Sequence, residues 1–398
     1  MFISLAVVYT LRVISGLGTL LAILLIDRAY GSEEIAHYAV FMFLFNLGTV
    51  VAVWGSNVIA VDTESHRVEA SSDIRMGHKL LDGLIAATVF YLLLNASGYW
   101  RAGLSAVIPL GIAGLIAAML IVRKRPAAAI LCNEFGRAFV PLLVMFLILY
   151  RQNVPFGMLV DVSYLTLFVL LPVLILYVHR QPCWRIDYRL RLSVWLIEKK
   201  QAVPIVLPQL LIVIVAQSDR LVIERWGDAR ELASYFAAQA LYTVVLFGSH
   251  AVLNSVMPDI AKVATQNAGS LRREGQLMLK VTGVLSALLI PAAYVYFGLI
   301  DIDRPVAMCV LMILVVGGLV SSMLGIGVSA MQFCQNKRMY MYLVASGLIC
   351  QYLTILALFE YFGVYAVALG FFTYSAVTSL VAAVYWQRKK VLVNPLCS

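Results

Sequence analysis

The chain has 398 residues, 62% of them hydrophobic and only 13% charged, with a mean hydropathy of +0.90. Soluble domains run near about 50% apolar and 25% charged, so an ordinary soluble globular protein is excluded. The formal charge of +9 would point to nucleic acid on a soluble chain, but here the bases lie between apolar runs and read as topogenic charge.

Twelve apolar stretches are expected as spans, at about 3–26, 35–61, 80–97, 103–122, 130–150, 157–178, 203–223, 233–257, 277–299, 306–331, 340–360 and 363–386. Most reach the roughly 20 residues that cross a bilayer. They are continuous rather than alternating, which selects helices over a β-barrel. The first run lacks a basic start and is too long for a signal peptide core, so it is expected to remain as a membrane helix.

Span 1 carries Arg12 a third of the way in. It is either a cationic ligand for an anionic substrate or a side chain snorkelling to the interface. Gly16 and Gly18 are positions where the same helix could loosen. The span ends at Asp27-Arg28, followed by Tyr30-Gly31-Ser32-Glu33-Glu34 and a second span that holds Asn46 and Asn57. At the start of span 5, Glu134 and Arg137 stand three apart; they pair with each other, or Arg137 adds positive charge to a cavity.

Residues 179–202 are the longest polar stretch, with Trp184, Tyr188 and Trp195 among the bases. They read as an amphipathic helix on anionic lipid, or as a solvated linker. Span 7 opens with Pro204 and Pro208, expected to bend it. Gln209 and Gln217, eight apart, share a face and either bind a polar substrate or bond neighbouring helices. Asp219 and Arg220 either end this helix at the surface, or Asp219 sits deep enough to pair with Arg12 or bind a proton or cation.

Span 8 contains His250 and Asn254 one turn apart. His250 either couples to protons or is a packing residue. Asp301-Ile302-Asp303 is a short acidic match to metal-dependent sugar transferases, in a polar loop. In span 10, Gly317, Ser321, Gly325 and Ser329 recur every fourth residue, which suits close helix packing or a sliding surface. Of the six cysteines none forms a Cys-x-x-Cys pair, so neither a metal site nor disulfides are expected.

Every even-numbered loop is the basic one, from Arg67, Arg75 and Lys79 after span 2 to Arg388, Lys389 and Lys390 in the tail. Both termini are therefore expected in the cytoplasm. Trp226-Gly227-Asp228-Ala229-Arg230-Glu231 returns about 197 positions after the first Gly-containing motif, again after an Asp-Arg pair. Two similar membrane halves point to a transporter with its path between them. There is no Gly-x-x-x-x-Gly-Lys-Ser/Thr loop, Gly-x-Ser-x-Gly elbow or His-Glu-x-x-His helix, which argues against ATP hydrolysis by a phosphate loop and against an enzyme of those kinds.

Three groups of residues carry a family resemblance. The first is Arg12 with Leu24-Leu25-Ile26-Asp27-Arg28-Ala29-Tyr30-Gly31 and Tyr38. The second is Gln217-Ser218-Asp219-Arg220-Leu221-Val222-Ile223, Ser234-Tyr235-Phe236-Ala237-Ala238 and Met257-Pro258. The third is Tyr361-Phe362-Gly363-Val364-Tyr365-Ala366-Val367-Ala368-Leu369-Gly370. In their spacing the chain resembles the polysaccharide flippases of the multidrug/oligosaccharidyl-lipid/polysaccharide exporter (MOP) superfamily.

The resemblance implies an all-α membrane protein of about twelve helices, in two pseudo-symmetric six-helix bundles around a central cavity. The bundles would be residues 1–180 and 203–398, joined by a cytoplasmic linker at 181–202. It implies an undecaprenyl-diphosphate-linked oligosaccharide as cargo, a cytoplasmic membrane setting and a possible polysaccharide polymerase partner. No cofactor is implied beyond a proton or sodium gradient. Substrate contacts would come from Arg12, Asn46, Arg137, Gln209, Gln217, Asp219, Arg220 and Asn254, and ion coupling from Asp219 or His250. The competing reading is a cation-coupled drug antiporter of the same superfamily, which would want buried acidic groups on the first spans; Asp27 sits only at a span end. A membrane polymerase or ligase ranks lower, because the outward loops are short.

Overall fold

The computed structural model describes residues 2–53, 72–95, 101–122, 128–129, 131–132, 136–151, 154–180, 184–187, 189, 191–266, 272–331 and 337–389. The elements, in chain order, are α1 (Phe2–Tyr30), α2 (Ser32–Val53), β1 (Ser72–Arg75), α3 (Met76–Asn95) and α4 (Val107–Val122), the last preceded by a 3-10 turn at Ala102–Ala106. Next come α5 (Gly136–Arg151), α6 (Phe156–Leu165), α7 (Leu170–His179) and β2 (Trp184–Asp187). The remainder is α8 (Leu192–Gln217), α9 (Asp219–Trp226), α10 (Ala229–Gln266), α11 (Arg272–Phe297), α12 (Arg304–Met331), α13 (Lys337–Phe362) and α14 (Val364–Arg388).

Each of the twelve expected stretches is helical where it is described, apart from turns at their ends and at Ser218. Among the described residues eight helical segments are long and apolar enough to cross a membrane. The pair Val206–Gln217 and Asp219–Trp226, which turns by 40° at its break, makes a ninth if the two are taken as one broken span and not as a re-entrant loop. The chain is a multi-pass, almost entirely helical membrane protein, because in hydrocarbon each segment must close its own hydrogen bonds.

Both copies of the repeated Gly motif end one helix just before the next, although Gly31 is left-handed and Gly227 is extended at φ −103°. Gly31 stands at φ +92° and donates its N–H to the Asp27 carbonyl at 2.9 Å, ending α1 before α2 begins. Gly227 donates to the Ile223 carbonyl at 2.7 Å and ends α9, and the Asp228 carboxylate then accepts the Glu231 N–H at 2.7 Å to start α10. A helix that closes on glycine and a side-chain cap that opens the next make a tight corner.

The chain divides into two compact units. One comprises residues 1–9, 26–39 and 211–398. Its core holds Ile260, Ile326, Val344 and Trp386, all fully buried, and the Trp386 indole N–H bonds the Gly327 carbonyl at 2.8 Å. Small residues set its helix spacing: a side chain at Gly317 would come within 3.4 Å of the Phe372 Cα, and one at Gly370 within 3.1 Å of the Gln351 carbonyl. Gly317, the first residue of the span 10 stripe, thus packs toward α14.

The other unit comprises residues 10–25 and 40–210. Ile112, Ala113, Ile116 and Leu120 of α4 form its buried centre, and α4 carries Gly111 against Ala52 and Gly114 against Val53. Gly18 closes on Ala138 of α5, and α1 runs unbroken through Gly16 and Gly18.

Two features differ from the expectations. Helix α8 continues through Pro204 and Pro208, and the break comes later, at Ser218. Residues 184–187, expected in an amphipathic helix, are instead a strand that pairs in parallel with β1, from Ser72 opposite Trp184 to Arg75 opposite Asp187. Backbone bonding to a second segment outweighs helix formation there, and the helix starts only at Leu192.

Candidate functional site

The break at Ser218 frees main-chain carbonyls inside a span, where each needs a donor. The Ser218 hydroxyl bonds back to the Ile214 carbonyl and also meets the Tyr352 hydroxyl. The Gln351 amide donates to the Val215 carbonyl at 2.9 Å, and the Gln239 amide to the Ala216 carbonyl at 2.7 Å. Side-chain donors, two of them from other helices, therefore stand in for missing helical N–H groups.

The next residue is Asp219, 1% exposed. Its Oδ1 accepts the Arg220 backbone N–H at 2.9 Å. Its Oδ2 accepts the Tyr235 hydroxyl and, at 3.4 Å, the Gln239 amide. Arg220 is also buried, but its guanidinium turns elsewhere. Nε and Nη2 donate to Gln239 Oε1 at 3.1 and 2.8 Å, Nη1 donates to the Ala39 carbonyl at 3.1 Å, and the group lies 4.6 Å from the Phe236 ring centre. Among the described residues no cationic side chain is in ion-pair contact with Asp219. A carboxylate buried in a span and held by neutral donors is an anion that binding a cation would relieve. Gln351 adds a buried Oε1 that no donor among the described residues satisfies, an oxygen open to a cation or water.

A second buried polar cluster lies in the other unit, at the start of α3. Asp82 Oδ2 accepts the ammonium groups of Lys79 at 2.6 Å and Lys199 at 2.5 Å, and Oδ1 accepts the Trp195 indole N–H at 2.8 Å. Lys79 also donates to the Val53 carbonyl at 3.1 Å. His78 Nδ1 lies 2.9 Å from Glu198 Oε2, and its Nε2 accepts the Arg191 N–H at 3.3 Å. Burial lowers the Lys79 ammonium to about 8, against the pull of Asp82, and lowers Lys199 for the same reason.

The other expected site residues fall differently. Arg137 is half-buried with its guanidinium 5.3 Å from the Phe45 ring centre, and Asn46 is half-buried in the same unit. Gln209 and Gln217 are half-buried, while the His250 side chain is exposed on α10. The side chains of Arg12 and Asn254, the residues Asn57 and Glu134, and hence the Glu134–Arg137 pair, lie outside the described residues. Asp301 is exposed and 3.6 Å from Arg230, and Asp303 Oδ1 accepts the Val306 N–H at 3.2 Å to cap α12. That capping role gives the Asp-Ile-Asp stretch a structural reason.

Tyr235, Gln239, Gln351 and Asp82 are not singled out by the sequence as site residues. Tyr235 and Gln239 stand four apart, so both face α9, and that spacing is the available signal. Asp82, an acid inside an apolar stretch, is itself one.

No protein-family model matches the chain, and no curated protein matches it in sequence. Solved structures do match in fold. The MATE multidrug transporter DinF-BH, solved in complex with a ligand, superposes at a TM-score of 0.71 with 16% identity, covering 96% of this chain and 94% of that one. An outward-facing multidrug resistance MATE family transporter of the MOP superfamily gives 0.69 with 15% identity over 97% and 95%. An inward-facing one gives 0.60 with 16% identity over 94% of each chain. The all-α membrane fold expected from the sequence is thus met, and the chain shares its fold with these MATE transporters.

Proposed function

We propose that the protein is a secondary active transporter that exchanges a cation for a small molecule, with Asp219 as the ion-coupling residue and Tyr235 and Gln239 as its immediate support. One observation carries this reading: a carboxylate buried within a broken span is held by neutral donors, while the neighbouring guanidinium is engaged by Gln239 and Ala39. Broken spans beside ion sites are a recurrent transporter device. In the sequence the antiporter reading lacks a buried acid; Asp219 supplies one, though on span 7 rather than on the first spans. Arg12, Asn46, Arg137, Gln209, Gln217 and Asn254 are proposed to face the transported molecule. The loop charges favour a cytoplasmic membrane location with both termini inside.

The test is ion flux in proteoliposomes. The purified protein is reconstituted with a pH- or sodium-sensitive dye inside, and the ligand of the DinF-BH complex is the first substrate probe. Substrate-dependent ion movement that vanishes in Asp219→Asn supports the exchange. Flux unchanged in that variant removes Asp219 from the coupling step.

A second reading is kept because the quoted motifs favour it: export of a lipid-linked oligosaccharide. Deleting the gene and asking which leaflet holds the glycolipid separates the two. Units trapped inside, with surface polysaccharide lost, support the flippase; unchanged glycolipids support the antiporter.

A further inference from the structure

We propose that the segment leading into α8 is clamped to the start of α3 and moves with that unit as one rigid piece, instead of serving as a loose tether on lipid. Two attachments flank residues 188–191. On one side, β2 pairs with β1 over four residues. On the other, the first two turns of α8 present Trp195 and Lys199, four apart and so on one face, to Asp82. Glu198 meets His78 beside them, and the Arg191 N–H closes on the same His ring.

The chemistry of the cluster makes it a fastener. The side chain of Asp82 is 3% exposed, that of Lys79 7% and that of Lys199 15%. Charged groups this buried are stable only while paired, so removing the linker would strand Lys199 and leave Asp82 with one ammonium. Lys79 ties the same carboxylate to the end of α2 through the Val53 carbonyl. Three stretches remote in sequence thus share one anion. The compact unit accordingly extends through Leu210, past the linker and into α8. The inference does not depend on what is transported.

Limited trypsin digestion of the full-length protein in detergent and in nanodiscs of neutral lipid tests it. Arg185, Arg189 and Arg191 supply the cleavage sites. The clamp predicts that the wild type resists cutting there. The double variant Trp195→Phe, Lys199→Met should be cut at least about tenfold faster, since local opening governs such cleavage. That variant keeps the Lys79–Asp82 pair, so α3 retains its buried partner; Asp82→Asn is a second, harsher variant expected to act in the same direction. Gel filtration and thermal unfolding establish that each variant is folded. Wild-type protein cut as fast as the denatured chain, or folded variants cut at the wild-type rate, would overturn the clamp. Protection that arises only with anionic lipid would overturn it too, in favour of a membrane-bound linker.

Discussion

Asp82 and Asp219 are both buried carboxylates, and their surroundings are opposite. Asp82 is gripped by two ammonium groups and an indole N–H. Asp219 has a phenol, an amide and a backbone N–H, and its neighbour Arg220 points its donors away. A carboxylate already neutralised by fixed cations has nothing to exchange, and it holds segments together. One held by neutral donors keeps its negative charge available to a mobile cation. Which partner meets the acid, more than burial itself, separates fastening from coupling.

The comparison can be broken most sharply at Asp219. Asp219→Asn preserves shape and one acceptor but cannot take up a cation, and ion-driven exchange in proteoliposomes should fall to background with the protein still folded. The same change at Asp82 should act on stability. Asp82→Asn leaves two buried ammonium groups without a counter-charge, a loss of about 3–5 kcal/mol read as a lower unfolding temperature. Exchange intact in the first variant, or a stable second one, would erase the distinction.

A smaller effect is expected at Tyr235. Tyr235→Phe removes one hydrogen bond to a charged group, worth about 1.5–3 kcal/mol. The ion concentration for half-maximal exchange should shift by about tenfold or more, with the maximal rate less affected. An unchanged ion dependence would show that the phenol does not support the carboxylate.

The smallest effect concerns pH. Folded Lys79 titrates at about 8 against an ordinary value of 10.5, lowered by burial. Between those values the folded protein binds fewer protons than the unfolded one, so stability rises with pH through that window. The unfolding temperature, compared at about pH 7.5, below that window, and at about pH 9.5, inside it, should gain more in the wild type than in Lys79→Met. Lys199, shifted in the same direction, keeps part of the gain in the variant. Equal gains in both proteins would mean that Lys79 contributes nothing to it.

The helices are largely legible in the sequence because lipid leaves few alternatives: long apolar runs fold as helices where they stand. The Gly31 and Gly227 corners are legible as a repeat. The linker is not, since the pairing that turns residues 184–187 into a strand depends on residues 72–75, more than a hundred positions earlier. The Asp219 site is half legible. The acid can be read, and so can the choice between a helix end and a buried position, but not the answer, which rests on Gln239, Gln351 and Tyr352 arriving from other helices. The prolines of α8 do not break it, and Ser218, an ordinary residue in sequence, marks the break.

The break at Ser218 also has a kinetic side. The carbonyls it frees are held by the rotatable amides of Gln239 and Gln351, so the joint between α8 and α9 is secured by side chains and not by a main-chain ladder. Unlocking it asks two amides to swing, a rotamer event, where unwinding a helix turn would ask several backbone bonds to part together. Gln239 also touches the Asp219 carboxylate, so whatever occupies that acid acts directly on one of the two pins of the joint.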